Sequence, residues 1–373
     1  MKKSRRLLVV VRWPLGGIRT YMRYVYRHFY PEFKVTILAA QVQEFDALRQ
    51  DADLINAELI LAPQSEIGFL LSVMRTLPQQ RYDIVQSHGF ISAVSTCLAN
   101  FFYKKPHVLT VHGILEDRLL SGFKGKIKRF VANWAICSVD VLYAVSEDIL
   151  SHVRKQVPRL QSSNVRQVVI LNGIEPEIFL QQKESGVFRT KHGLSQNIFL
   201  FGFLGRFMPQ KGFDKLIEAL ALMEAQNLSC DYLLVAMGSG DYRSEYEHLV
   251  HEKGLSKRVV FLPFQSNVNE VFRDLNAVVM PSRWEAFGLL AAEALVSGVP
   301  IIASDCIGLR EILRDTPARV IPSGNPSDLA GAMVNALDGN WCLEFNSFKE
   351  IAANRFDVTQ TSKKLKKLLS SLL

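Results

Sequence analysis

The chain has 373 residues, 48% apolar and 21% charged, with a formal net charge of +8. It is too long for one ordinary core and too apolar for disorder, so two globular domains are expected. No apolar stretch reaches membrane-spanning length without Asp, Glu, Asn or Pro inside it. The basic start, Met1 to Arg6, is like a signal-peptide n-region, but the apolar run after it, 7–11, is too short for an h-region. Five scattered cysteines (Cys97, Cys137, Cys230, Cys306, Cys342) lack metal-ligand or framework spacing, which points to reduced thiols and a cytoplasmic protein. The whole positive excess lies in residues 1–180. Without a nucleic-acid module, such a basic surface suits an acidic lipid surface or an acidic acceptor; an ordinary basic surface is the plain alternative.

In chain order, 7–11 reads as a buried strand. Residues 12–17 are a loop with Gly16 and Gly17, and 18–29 is a helix. Paired glycines at a strand-to-helix turn let a backbone approach a ligand, although Gly-Gly is also a common plain turn. Further strands are expected at 33–39, 83–86, 107–111, 139–145 and 168–171, with helices at 90–103 and 123–138. The strands end in polar, Gly-bearing segments: Ser87, His88 and Gly89; His112 and Gly113; Asn172, Gly173 and Ile174. That is a doubly wound parallel α/β domain with one functional edge, covering 1–180. Residues 175–196 are polar and irregular and read as a linker.

The pattern restarts in a second domain, 190–356. A strand at 198–204 is followed by a loop with Arg206, Lys211 and Gly212, then by a helix at 213–226. Strands follow at 232–236, 259–262, 277–280, 299–303 and 319–321. The last stretch, 358–373, sets Lys363, Lys364, Lys366 and Lys367 among leucines. It is an amphipathic basic helix that either docks on a domain face or touches a membrane surface.

The densest signal is 281–300. Glu285 stands in the loop after a strand, and Glu293 stands on the second turn of an apolar helix that opens at Gly288 and Leu289. Open amides at a helix start favour an anion. A buried Glu293 needs a partner; a helix with one snorkelling Glu is the plain reading. Arg206 and Lys211, two cations in a Gly-bounded loop at a strand's carboxyl end, can clamp a diphosphate. His112, and less directly His88, stand at strand ends of the first domain. No His-x-x-x-His or Asp-x-Asp pair sits in a candidate site, so no metal is expected.

Gly16-Gly17, His112, Asn172-Gly173-Ile174, Gly205-Arg206 with Lys211-Gly212, and Glu285-Ala286-Phe287-Gly288-Leu289 with Glu293 resemble the motif series of glycosyltransferase family 4. The resemblance runs through nearly the whole chain. It implies a GT-B fold, two Rossmann-like parallel-sheet domains facing across a cleft, with the helix 357–373 returning to the first domain. It also implies retaining, metal-independent transfer of a hexose from a UDP- or GDP-linked donor, without a cofactor, to a glycan or lipid-linked acceptor in cell-surface polysaccharide synthesis. The implied roles are Arg206, Lys211 and the amides of Gly288 and Leu289 on the diphosphate, and Glu293 on the ribose. Glu285 would meet the transferred sugar, His112 would lie beside it, and Gly16 and Gly17 would meet the phosphates. The leaving diphosphate would help deprotonate the acceptor.

Two positions depart from the pattern. Glu175 stands where Asp is usual, and Ile307-Gly308-Leu309-Arg310-Glu311 has lost one Gly of a pair, which bears on Glu311 as a pocket residue and on sugar identity. A nucleotide-sugar epimerase of similar fold and a non-catalytic nucleotide-sugar-binding module are the alternatives. Peripheral attachment to the inner membrane face through Lys124, Lys126, Lys128 and Arg129 is a further expectation.

Overall fold

In the computed structural model the chain forms two compact units, residues up to Ile174 with Asp357–Leu373, and Glu175–Phe356. The structure describes residues 4–373 except 43–44, 80, 116–121, 182–184, 227, 229, 266 and 339–340 and the side chains of residues 123 and 124.

The first unit runs β1 (Arg5–Val11), α1 (Gly17–Tyr26), β2 (Phe33–Ala40), α2 (Phe45–Leu54), β3 (Glu58–Ala62), α3 (Glu66–Thr76), β4 (Ile84–His88), α4 (Phe90–Asn100), β5 (His107–Val111), α5 (Gly122–Ile136), β6 (Val141–Ala144), α6 (Glu147–Gln156) and β7 (Arg166–Val169). The strands are parallel, in the order β3-β2-β1-β4-β5-β6-β7. Leu7 to Val11 are wholly buried, as a strand covered on both faces requires. The order reverses between β1 and β4. Right-handed crossovers therefore send α1 and α2 to one face and α3, α4, α5 and α6 to the other. The neighbours agree: α1 packs on α2, α3 on α4, and α4 on α5.

The second unit runs α7 (Pro176–Leu180), α8 (Val187–Lys191), β8 (Phe199–Leu204), α9 (Phe213–Glu224), β9 (Tyr232–Met237), α10 (Arg243–Glu252), β10 (Val259–Leu262), α11 (Val268–Phe272), β11 (Ala277–Met280), α12 (Leu289–Ser297), β12 (Ile301–Asp305), α13 (Leu309–Leu313), β13 (Arg319–Pro322), α14 (Pro326–Ala336) and α15 (Cys342–Arg355). Its parallel sheet has the order β10-β9-β8-β11-β12-β13, reversing between β8 and β11. That is the doubly wound order of dinucleotide-binding sheets.

Helix α16 (Val358–Ser370) belongs to the first unit and packs on α1. Its apolar face, Val358, Leu365, Leu368 and Leu369, is buried. Ser362 Oγ donates to the Val25 carbonyl at 3.0 Å, and Lys366 pairs with Glu32 at 2.7 Å. Only the lysine side of this helix reaches solvent, so the helix has no apolar face left for a membrane. Gly173 permits the crossing: a Cβ there would lie 2.5 Å from Val358 Cα.

Two stretches differ from the sequence reading. The strand β3 and helices α2 and α3 were not anticipated; β3 is a half-exposed edge strand whose apolar run, Leu59 to Ala62, is only four residues long. The 175–196 stretch is not a linker, because it carries α7 and α8 and the buried Arg189. That guanidinium donates to the carbonyls of Ser195 (2.7 Å), Ile198 (2.9 Å) and Asp274 (3.0 Å) and to Asn276 Oδ1 (2.8 Å), tying the stretch to the starts of β8 and β11.

Candidate functional site

In the second unit the candidate residues gather where the strand order reverses. The loop 205–212 leaves β8, and the loop 281–288 leaves its neighbour β11. The first is held by Phe207, whose buried ring packs against Phe203, Phe213 and Phe261 at centroid distances of 5.8, 5.3 and 5.7 Å. With Phe207 turned inward, Arg206 stands half-buried beside it, and among the described residues it has no ion-pair or hydrogen-bond partner.

The two loops touch backbone to backbone. Gly212 has φ +66°, and a Cβ on it would lie 2.0 Å from the Pro281 carbonyl oxygen. The Arg283 amide donates to Gln210 O at 2.8 Å, and Gln210 Nε2 donates to Trp284 O at 3.0 Å. The Arg283 guanidinium forks onto both carboxylate oxygens of Asp214, at 2.9 and 2.6 Å. At the centre Lys211 Nζ donates to Glu285 Oε1 at 2.6 Å, and Ser282 Oγ donates to the same oxygen at 2.8 Å. Glu285 is only 7% exposed, so its charge depends on these two donors. Its charge, after burial itself, pushes the nearby Cys306 thiol up to about 12.

Gly308 closes the back of this loop. Its φ is +84°, and a Cβ would meet the Glu285 carbonyl oxygen at 2.3 Å; the Glu285 amide donates to Ile307 O at 2.9 Å. Gly288, at φ +81°, caps α12, so the amides of Leu289 and its neighbours open that helix. Glu293 lies one turn further on and is buried. Glu311 sits on α13, half-buried, its carbonyl accepting from Arg355 at 3.0 Å. Two cations, a helix start and two buried carboxylates therefore border one end of this sheet.

In the first unit His88 ends β4 and His112 follows β5. His88 Nδ1 lies 2.7 Å from His112 Nε2, and Tyr26 Oη lies 2.6 Å from His88 Nε2. The two imidazoles stack at 5.0 Å, and the Tyr21 ring meets His112 edge-on at 4.8 Å. Burial holds both imidazoles neutral. It pushes His112 down to about 3, and burial and His112 push His88 well below its ordinary value. The Tyr26 phenol is raised by burial and then by Tyr143, so it keeps its proton.

A protonated phenol must donate, and among the described residues its partner is His88 Nε2. His88 then carries its proton on Nδ1 and donates to His112 Nε2. This assigns the His112 proton to Nδ1, as a neutral donor. Gly16 caps α1 at φ +53°, and a Cβ on Gly17 would have nothing within 4 Å. Asn172 is buried after β7 with its Oδ1 lacking a hydrogen-bond partner among the described residues.

The expected residues thus fall into two groups. Arg206, Lys211, Glu285, Gly288, Leu289 and Glu293 border the second sheet's switch point; His88 and His112 are in direct contact in the first unit. The sequence reading missed Tyr26 and Ser282, and named Gly308 only as what remains of a Gly pair. Ser282, three residues before Glu285, was within reach of it; the Tyr26 contact spans 62 residues and left no local signal.

Two family models match the chain in succession. One, described as Glycosyltransferase Family 4, covers residues 15–178, and the other, described as Glycosyl transferases group 1, covers residues 185–355. Together they leave out only the two ends and a short stretch between. The chain belongs to glycosyltransferase family 4. Among relatives of this family 4 member, an uncharacterized glycosyltransferase of Methanocaldococcus jannaschii is 28% identical over 287 residues, 74% of this chain and 69% of the relative. An Escherichia coli enzyme named UDP-Gal:alpha-D-GlcNAc-diphosphoundecaprenol alpha-1,3-galactosyltransferase is 27% identical over 247 residues, 64% of this chain and 62% of the relative. The crystal structure of Anabaena HepE in complex with UDP and glucose superposes with a TM-score of 0.83 at 21% identity, covering 98% of this chain and 100% of that one. Its likeness is in the fold, which is GT-B.

Proposed function

We propose that this family 4 enzyme moves a hexose, with retention and without a metal, from a nucleotide diphosphate sugar to a hydroxyl of a glycan or lipid-linked acceptor in cell-surface polysaccharide synthesis. The observation that carries the reading is the Lys211–Glu285 contact beside Arg206 and the start of α12. A cation held at 2.6 Å from a carboxylate, next to a second cation without a partner among the described residues, is an arrangement awaiting a polyanion.

Arg206, Lys211 and the amides of Gly288 and Leu289 take the donor diphosphate and stabilise the charge that grows on it as the glycosidic bond breaks. Glu293 takes the ribose hydroxyls, and Glu285, oriented by Lys211 and Ser282, takes hydroxyls of the transferred sugar; Glu311 and Asn172 are lesser candidates. In the first unit, His112 is a neutral donor to the sugar, and Gly16 and Gly17 keep the chain open to the phosphates. The leaving diphosphate helps deprotonate the acceptor, so no side-chain base is assigned. The E. coli relative's name, with its UDP-linked donor and lipid-diphosphate acceptor, and the UDP held by Anabaena HepE support a UDP-linked donor; a GDP-linked donor is the other outcome. Free cysteines throughout support a cytoplasmic setting.

A panel of nucleotide sugars read by thermal shift identifies the donor, since a ligand at 100 times its Kd stabilises by about 2.7 kcal/mol. Transfer is then measured with that donor, with and without EDTA. Turnover unchanged in Lys211→Ala or Glu285→Gln would refute the site. Release of an epimerised donor in the absence of acceptor would make the protein an epimerase, and binding without transfer to any acceptor would make it a binding module.

A further inference from the structure

Helices that cover a parallel sheet normally turn polar residues outward. On the face opposite α1 and α16, three neighbouring helices do the reverse. Helix α3 exposes Ile67, Leu71 and Met74, spaced i, i+4, i+7 along one stripe. Helix α4 exposes Ile91 and Leu98, and the stripe runs off its end into Phe101 and Phe102, the latter 79% exposed. Helix α5 exposes Ile127, Phe130 and Trp134, spaced i, i+3, i+7, with Phe130 at 68%. The opposite sides of these helices are buried, by Phe69 and Val73 in α3, Ala93 and Cys97 in α4, and Ala135 and Ile136 in α5. The outward stripes are therefore additional to what the core uses. Since α4 packs on both α3 and α5, the stripes lie side by side.

On α4 and α5 the charge has one sign; on α3 the exposed Glu66 stands at the first position and pairs with Arg12 at 3.2 Å. Residues 84–115 and 122–139 contain no Asp or Glu. Lys104, Lys126 and Lys128 are exposed beside the aromatic stripe, and Lys105 is half-exposed. The Lys124 side chain lies outside the described residues. Trp, Tyr and Phe with flanking Lys is the composition of a bilayer interface, where rings sit at headgroup depth and ammonium groups meet lipid phosphates. Among the described residues no helix is long and apolar enough to cross a membrane.

We propose that the α3–α4–α5 face is a membrane-docking surface that lies on an anionic lipid bilayer. Phe101, Phe102, Phe130 and Trp134 enter the headgroup layer, and Lys104, Lys105, Lys126 and Lys128 bind acidic headgroups. A lipid-linked acceptor would then be met at the surface where it resides. The docking itself does not rest on the transfer reading and is measured without donor or acceptor.

The test is flotation of the full chain with phosphatidylcholine vesicles, with and without phosphatidylglycerol. The protein should float with the acidic vesicles and lose binding as salt rises. Phe101→Ser with Phe102→Ser should abolish flotation while circular dichroism and melting stay native, because both rings are exposed. Lys104→Glu with Lys105→Glu should weaken partitioning by at least the roughly fivefold that each lysine contributes. Lys363→Glu with Lys364→Glu, on α16, should leave it unchanged. No flotation of the native chain, or full flotation of the Phe pair, overturns the proposal. So does a Phe-dependent dimer in sedimentation without vesicle binding, which would assign the face to a second copy.

Discussion

The 2.7 Å contact between His88 Nδ1 and His112 Nε2 decides which nitrogen of His112 carries a proton. Because Tyr26 donates at the far end, the proton stands on His112 Nδ1. Tyr26→Phe removes that donor and frees His88 to switch tautomer, leaving Nδ1 bare in part of the population. The expected loss is five- to tenfold in kcat with donor KM little changed, the worth of about 1–1.4 kcal/mol for one neutral hydrogen bond. Nitrogen chemical shifts of the His112 ring provide a second readout. A native ring protonated on Nε2, or an unaltered kcat in Tyr26→Phe, would refute the assignment.

Lys211 and Glu285 can be separated by a double-mutant cycle. Lys211→Met leaves Glu285 buried with Ser282 as its one remaining side-chain hydrogen-bond donor among the described residues. Breaking a fully buried pair costs about 3–5 kcal/mol, and the Lys211 side chain is 25% exposed, so a loss of about 2–3 kcal/mol is expected. Adding Glu285→Gln should restore most of the stability and none of the transfer activity. Urea denaturation and donor turnover, measured on all four proteins, check both statements. Purely additive stability effects would mean the contact is not an energetic pair.

Much of the fold was legible because many buried parallel strands are continuous apolar runs: 7–11 and 277–280 needed no context. Edge strand β3 was missed: its apolar run is four residues long, starts after Glu58 and stops at Pro63. The 175–196 stretch looked like a linker because what orders it is remote; Arg189 finds Asn276 87 residues away. The site was legible in part. Glu285, Glu293, Arg206 and Lys211 stood out as charges in Gly-bounded or apolar settings. Which charge would touch which is a tertiary fact, and so is the tie between Tyr26 and His88.

The buried imidazoles make stability depend on pH. In the unfolded chain His107 and His112 take up protons near their ordinary value of 6.5; folded, burial pushes each down to about 3, and His88 is lowered in the same sense. Between those values the unfolded state binds more protons. Stability is therefore full above pH 6.5 and falls as pH drops toward 3, by up to about 1.4 kcal/mol per pH unit for each imidazole. His107 lies apart from the site, against Ser87 Oγ at 2.8 Å. His107→Asn should lower stability at pH 7 and flatten its dependence between pH 7 and 5 by one proton. Urea midpoints at several pH values test this; equal slopes in native and variant would refute it.

Gly17, proposed to face the donor phosphates, and Gly308, held by the fold, respond differently to an added methyl. At Gly308 the backbone is left-handed at φ +84° and a Cβ would lie 2.3 Å from the Glu285 carbonyl oxygen, so Gly308→Ala must displace the Glu285 loop. The left-handed conformation alone costs a non-glycine residue about 1–2 kcal/mol, and the overlap adds to that. Both melting temperature and transfer should fall. At Gly17, the first residue of α1, a Cβ would have nothing within 4 Å. Gly17→Ala should therefore fold as well as the native chain or gain about 0.4–1 kcal/mol through its stiffer unfolded state. It should still lose donor affinity, because the methyl enters the space assigned to the phosphates. Donor titration by calorimetry beside a melting curve distinguishes the cases. Native donor affinity in Gly17→Ala would remove the first-unit glycines from the site, and a native melting curve for Gly308→Ala would mean the loop accommodates the methyl without displacing Glu285.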